Sequence, residues 1–193
     1  MNNKERRSAR IEEITRQLTS CFSVSETAGE AQMGDILYAM LAENPYFQAH
    51  PENLRRLPIE GDPWGRISIL ALMRGEKRPS SKTVVTIGHF DTVGISDYGS
   101  LAPYANQPDL LREKLRALEL PENVRADLES GDYLFGRGAF DMKSGDAVLI
   151  ELLEELAGQV SELEGNILFG AVCDEECNSR GMLRFIPELE RLQ

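Results

Sequence analysis

Three short acidic motifs contain the residue types that metal-assisted hydrolysis requires. They are GHFDTVG at residues 88–94, GRGAFDMKSG at residues 136–145 and DEE at residues 174–176. Imidazole and carboxylate groups are ordinary zinc ligands, and a carboxylate shared by two ions suits a two-metal site. The motifs therefore offer His89, Asp141 and the pair Glu175 and Glu176 as candidate ligands and proton carriers.

The first motif can supply one ligand and its support. In extended backbone, residues two apart face the same way, so Asp91 can hydrogen-bond one imidazole nitrogen of His89 while the other nitrogen binds a metal. A His-x-Asp pattern is weak evidence by itself because it is common by chance. Its weight comes from its combination with the other two motifs.

The second and third motifs each have a metal-binding and a structural interpretation. Asp141 lies at a glycine-rich corner where backbone can approach an ion closely, but an aspartate there could also cap the following helix. Adjacent glutamates in extended chain point to opposite sides, so one of Glu175 and Glu176 can bind a metal while the other handles a water proton. The alternative for such an acidic run is a solvated surface.

Strands and helices alternate around the motifs, which predicts an α/β layered fold with a largely parallel sheet. Each motif follows a strand-like run, and in open α/β sheets the carboxyl ends of the strands converge on the ligand-binding edge. The predicted strands are residues 66–73, 82–87 and 166–173, with a short extended piece at 133–135. The predicted helices are residues 5–20, a segment from a cap at Thr27 to a stop before Asn44, residues 142–156, and a helix that starts at Ser179. Residues 51–63 have the composition of a loop, and residues 95–131 that of an insertion with short helices near 108–119 and 122–129.

The charge balance excludes several partners. The 193 residues include 21 basic and 32 acidic ones, a formal net charge of −11, whereas nucleic-acid and anionic-membrane surfaces need clustered Lys and Arg. No apolar run approaches membrane-spanning length. Cys21, Cys173 and Cys177 are an odd number without CxxC spacing, which indicates neither a disulfide framework nor a structural zinc module. We therefore expect a cytoplasmic protein that binds neither nucleic acid nor membrane.

The three motifs together resemble the ordered signatures of the di-zinc metallopeptidase family of aminoacylase, acetylornithine deacetylase, succinyl-diaminopimelate desuccinylase and glutamate carboxypeptidase. Within that family, the chain looks most like a bacterial arginine-utilisation protein. The likeness lies in the long segment between the first two motifs and in the sequence NPYF at residues 44–47. The resemblance covers nearly the whole chain. It implies a three-layer zinc-peptidase-like catalytic domain with a mostly parallel central sheet.

The resemblance also implies a role for each site residue. His89 is a terminal ligand of one zinc, Asp141 bridges both ions, and Glu176 is a terminal ligand of the other. Asp91 orients His89, and Glu175 is the general base that takes a proton from the attacking water. Members of the family often have a cis peptide bond after the bridging aspartate, here between Asp141 and Met142.

Further family features are expected beyond these motifs, namely another carboxylate ligand, a lid or dimerisation domain and a last histidine ligand. His50 matches none of the family ligands, and a surface histidine is the favoured interpretation. Residues 1–193 are therefore predicted to be the N-terminal part of the catalytic domain, inactive or nearly so alone, with a homodimer possible through the lid domain.

The expected substrate is a small peptide or N-acyl amino acid, in amino-acid or arginine catabolism. The expected cofactors are two divalent metal ions, zinc first, with Mn or Co as alternatives. A non-catalytic binding or regulatory module derived from the same family is the competing hypothesis.

Overall fold

Helices cover both faces of a four-stranded sheet in the computed structural model, which describes residues 2–192. The strands are β1 Leu54–Pro58, β2 Ile67–Arg74, β3 Thr83–His89 and β4 Asn166–Val172. The α-helices are α1 Asn3–Thr19, α2 Ala28–Ala42, α3 Pro45–Ala49, α4 Pro108–Arg116, α5 Glu122–Ser130, α6 Ser144–Ala157 and α7 Arg180–Arg191. Short 3-10 helices occupy Pro51–Asn53 and Val160–Glu162, and Ser96–Tyr104 is a 3-10 segment interrupted at Gly99. Ala139–Lys143 is an irregular turn with non-helical backbone at Asp141 and Met142.

The α/β fold class is confirmed, but the prediction of a mostly parallel sheet is wrong for these strands. The order is β1-β2-β4-β3, and only β3 and β4 pair in parallel. The segment read as a loop, residues 51–63, contains β1. Its connection to β2 is short, and a short connection permits only an antiparallel hairpin, whereas β3 reaches β4 through the long helical crossover that a parallel pair requires.

The apolar pattern of the two central strands explains the three layers. In β2 and β4, side chains on both faces are buried, as expected where helices cover a sheet on each side. One core lies between the sheet and α1, α2, α3 and α6. The second lies under α7 around Phe185 and consists of Leu57, Leu70, Leu72, Leu168 and Val172.

Several element boundaries differ from the prediction. Residues 133–135 form no strand, so the second motif follows a loop. Helix α6 begins at Ser144, after the non-helical backbone of Asp141 and Met142. Helix α7 continues through Pro187 without interruption. The two short helices expected between residues 95 and 131 are present as α4 and α5.

Among the described residues, no helix is both long enough and apolar enough to cross a membrane.

Gly170 in β4 allows α7 to pack closely on the sheet, which gives a first prediction. A Cβ at this position would lie 2.5 Å from Cζ of the buried Phe185 and 2.9 Å from Cδ1 of Ile87. We expect Gly170→Ala to lower the free energy of unfolding by about 1–3 kcal/mol because an overpacked core must shift. Chemical denaturation measures the change. Gly94→Ala is the control, since nothing lies within 4 Å of a Cβ there, and equal stability of the two variants would contradict the packing argument.

Candidate metal centre

The parallel pairing of β3 with β4 brings the first and third motifs together. His89 at the end of β3 is in register with Val172 at the end of β4. The carboxyl ends of parallel neighbours lie at the same edge of a sheet, so the segments that follow them are adjacent. The first and third motifs therefore meet at the sheet edge, as predicted from their positions after strands.

The structure brings together the three residues proposed as ligands. One ligand atom each from His89, Asp141 and Glu176 lies within 4.8 Å of the others. The Nε2 atom of His89 is 3.1 Å from Oδ1 of Asp141 and 3.8 Å from Oε2 of Glu175. The imidazole is nearly buried, whereas the side chains of Asp141 and Glu175 are 69% and 51% exposed. The imidazole therefore forms the buried side of the cluster, and the carboxylates of Asp141 and Glu175 face the solvent.

Asp91 connects the first motif to the third. Its carboxylate is buried and accepts hydrogen bonds from the backbone amides of Glu175 at 3.0 Å and Glu176 at 3.1 Å. It also accepts one from the Ser25 hydroxyl at 2.7 Å. The Nδ1 atom of His89 lies 3.2 Å from the carbonyl oxygen of Asp91 and 3.6 Å from its carboxylate. Asp91 thus contacts the far side of the imidazole and fixes the backbone of both glutamates.

The pKa of Asp91 reflects these contacts. Burial alone would raise it, but the His89 side chain, the Ser25 hydroxyl and the two backbone amides outweigh burial, and the pKa is lowered. The carboxylate is therefore charged at neutral pH, and it accepts hydrogen bonds only.

The third motif is a turn, so the prediction of an extended Glu175-Glu176 pair is wrong. Asp174 has a left-handed backbone with φ of 63°. This conformation turns the chain at the end of β4, so the next two amides point toward the Asp91 carboxylate. The two glutamates still differ in position, because Glu176 joins the three-residue cluster while Glu175 stands beside it.

Asp141 does not cap α6, so that structural interpretation is wrong. The cap position is Lys143, and Asp141 has an extended backbone with φ of −116° and ψ of 103°. The Asp141–Met142 peptide bond is cis, as the family resemblance implies.

Lys143 is buried, and its Nζ donates to the carbonyl of Cys21 at 2.9 Å. Burial lowers the pKa of Lys143 to about 8.

The electrostatics of the cluster favour a cation. Burial alone would lower the pKa of His89, but the Asp91 carboxylate, the contact with Asp141 and the charge of Glu175 raise it to about 9. Burial and the charge of Asp141 raise the pKa of Glu176. His89 and Glu176 thus hold a proton more tightly than the isolated side chains do. Two carboxylates and an imidazole converging on one point form a set of donors that fits a divalent metal ion.

Other residues near the centre were not found from the sequence. Asp146 in the first turn of α6 is fully buried, neither of its oxygens has a partner among the described residues, and burial raises its pKa well above the usual range. Ser25 contacts Asp91, and Glu30 and Arg66 are buried behind the third motif. Glu30 and Asp35 are the two charged residues of α2, so the sequence alone does not single out Glu30.

Two further groups lie outside the cluster. His50 stacks on Tyr46 with ring centroids 4.7 Å apart and is 40% exposed, in agreement with its interpretation as a surface histidine. Glu26, Asp174 and Cys177 also lie close together, but the Asp174 carboxylate is already bound to Arg66.

Comparison with known proteins identifies the family and the fold. Residues 85–193 match the sequence family described as peptidase family M20/M25/M40. The chain is 41% identical to the uncharacterised protein YqjN of Bacillus subtilis over 173 residues, which are 89% of this chain and 30% of YqjN. It is 38% identical to the protein RocB of the same organism over 184 residues, which are 95% of this chain and 32% of RocB.

The fold is also that of solved members of the family. The Bacillus subtilis YXEP protein, described as a dinuclear metal binding peptidase from the M20 family, superposes with a TM-score of 0.52 at 15% identity over 96% of this chain and 40% of its own. The chain belongs to the M20/M25/M40 peptidase family. It spans about a third of the length of the curated relatives that it matches, YqjN and RocB.

The double acceptor role of Asp91 gives a second prediction. Asn at this position has one acceptor oxygen and places an amide donor against a backbone amide. We expect Asp91→Asn to weaken zinc binding by roughly 10–100-fold, as is typical when the support of a ligand is removed. Competition with a chelator measures the affinity. Ser25→Ala removes one hydrogen bond to the same carboxylate and should have a smaller effect, and wild-type affinity of Asp91→Asn would contradict the role.

The raised pKa of His89 gives a third prediction. A metal binds only the neutral imidazole, so below a pKa of about 9 it must displace a proton. We expect zinc affinity to rise by about tenfold between pH 7 and pH 8, the change for one displaced proton. Chelator competition, corrected for protonation of the chelator, measures this at both values. An affinity that does not change between pH 7 and pH 8 would contradict it.

Proposed function

We propose that this chain is the front part of the catalytic domain of an M20-type metallohydrolase that cleaves an amide bond in a small peptide or N-acyl amino acid. The observation that carries the proposal is the convergence of His89, Asp141 and Glu176 from three separate motifs on one point. The likeness to RocB supports a place in amino-acid or arginine catabolism. Residues 95–131 are an insertion within this domain.

We assign His89, Asp141 and Glu176 as ligands of two divalent ions, zinc by preference. The family resemblance makes Asp141 the candidate bridge, and its carboxylate lies 3.1 Å from the imidazole of His89. The dinuclear metal site named for the YXEP protein supports two ions in this fold. When bound, such ions polarise the amide carbonyl and acidify a water molecule.

Glu175 is assigned as the general base. Its carboxylate is half exposed and has an oxygen 3.8 Å from the Nε2 atom of His89, so it borders the same space as the ligands. Its backbone is held by Asp91, which leaves the side chain free to take the proton of the attacking water and deliver it to the leaving nitrogen. Asp91 orients the imidazole from its other side.

The separate roles of the two glutamates give a fourth prediction. In the complete protein that carries this segment, Glu175→Gln should lower kcat by roughly 10²–10⁴-fold, the usual contribution of a general base, while the metal content stays unchanged. Glu176→Gln should instead lower the metal content. Hydrolysis of N-acyl amino acids and dipeptides is measured beside metal analysis.

Glu164→Gln is the matched control, since Glu164 forms exposed ion pairs with Lys77 and Arg78. Full activity of Glu175→Gln would contradict its role as the base. A wild-type protein that binds metal but hydrolyses none of these substrates would favour the binding or regulatory module. The 193-residue chain alone should have little or no turnover, because three assigned ligands are too few for two catalytic ions.

A further inference from the structure

We propose that Arg66 is a positioning residue of the metal centre, which holds the turn of the third motif from behind so that Glu175 and Glu176 face His89 and Asp141. The inference rests on the proposed function, since it gives Arg66 a role in metal binding.

Arg66 is the centre of a fully buried charge cluster. Its Nη1 lies 2.9 Å from Oε2 of Glu30 and 2.9 Å from Oδ1 of Asp174. Its Nη2 and Nε lie 2.7 and 2.9 Å from Oδ1 of Asp62. All four side chains are 0% exposed. One planar guanidinium thus ties together three carboxylates from α2, the β1–β2 connection and the end of β4.

The cluster fixes the backbone that carries the catalytic glutamates. The amide of Asp174 donates to Oε1 of Glu30 at 2.5 Å, and the Asp174 carboxylate binds Arg66. The next two amides, of Glu175 and Glu176, donate to Asp91. Three consecutive amides therefore end on buried carboxylates. Arg66 keeps the first of those carboxylates, that of Glu30, in place.

The energetics favour a positioning role over a contribution to stability. Arg66, and at 3.8 Å from Asp62 the partly exposed Arg180, face three buried carboxylates. Burying these charges costs desolvation energy that an apolar cluster of the same size would avoid. Burial raises the pKa of Glu30 to about 7, although the hydrogen bond from Arg66 opposes the shift. A costly arrangement directly behind the ligand turn is explained by the direction that it gives to Glu175 and Glu176.

A second buried carboxylate provides a matched control. Glu188 on α7 is 0% exposed and binds Arg55, Arg184 and Arg191, which are all partly exposed. It lies on the other face of the sheet, under α7, and within the described part of the chain its carboxylate bonds to these arginines and not to the three motifs. Arg55→Met therefore removes an arginine from a buried carboxylate without touching the ligand turn.

The experiment compares Arg66→Met, Arg66→Lys and Glu30→Gln with Arg55→Met and wild type. Zinc affinity is measured by chelator competition, and the visible spectrum of the Co²⁺-loaded protein reports ligand geometry. We expect Arg66→Met and Glu30→Gln to bind zinc roughly 10–100-fold more weakly and to change the Co²⁺ spectrum. Lys keeps the charge but lacks the planar fork, so Arg66→Lys should fold and still change the spectrum. Arg55→Met should match wild type in both measurements.

The outcomes separate the inference from the proposed function. Wild-type affinity and spectrum in Glu30→Gln and Arg66→Lys would overturn the inference, even if Arg66→Met fails to fold. An equal loss in Arg55→Met would also overturn it, because the effect would then follow stability alone. If wild type itself binds neither Zn²⁺ nor Co²⁺ at this site, the proposed function fails and the inference fails with it.

Discussion

The parallel pairing of β3 with β4 is the constraint on which the rest of the site depends. Their register places His89 beside Val172, so the chain leaves both strands at one edge and in one direction. A shift of one residue would turn His89 to the opposite face of the sheet, away from Asp141. The buried central position of β4 between β2 and β3 makes such a shift costly. The core thereby fixes the position of the first ligand to within one residue.

Buried carboxylates are the second feature that fixes the site, because they hold the backbone of the third motif in place. Asp91 and Glu30 each accept backbone amides of the third motif, and both lie in the interior. A buried carboxylate with such partners is rigid because moving it leaves several polar groups unpaired. The half-exposed carboxylate of Glu175 is therefore carried by a backbone whose position does not depend on that carboxylate. Part of the acidity of the chain belongs to this internal framework and part to the opening of the site.

Features set by the local sequence pattern could be predicted, whereas features set by contacts between distant residues could not. His89 and the glutamates could be placed at a sheet edge because apolar β-branched runs precede them. The turn at Asp174 could not be predicted, since it depends on Glu30 and Arg66, which lie 144 and 108 residues away. The strand β1 was missed because its outward residues Arg55 and Arg56 break the apolar pattern. Because β1 was missed, its antiparallel pairing with β2 was missed too.

Asp141 was predicted to follow a strand at residues 133–135, but a loop brings it to the cluster instead. No strand carries Asp141 to the site. An irregular turn at Ala139–Lys143 carries it, and the buried Lys143 anchors this turn because its Nζ donates to the carbonyl of Cys21 between α1 and α2. Each of the three proposed ligands thus has a different support: a strand end for His89, an anchored loop for Asp141, and a turn held by carboxylates for Glu176. These supports bring one ligand atom each from His89, Asp141 and Glu176 to within 4.8 Å of the others, which is the arrangement that the proposed metal centre requires.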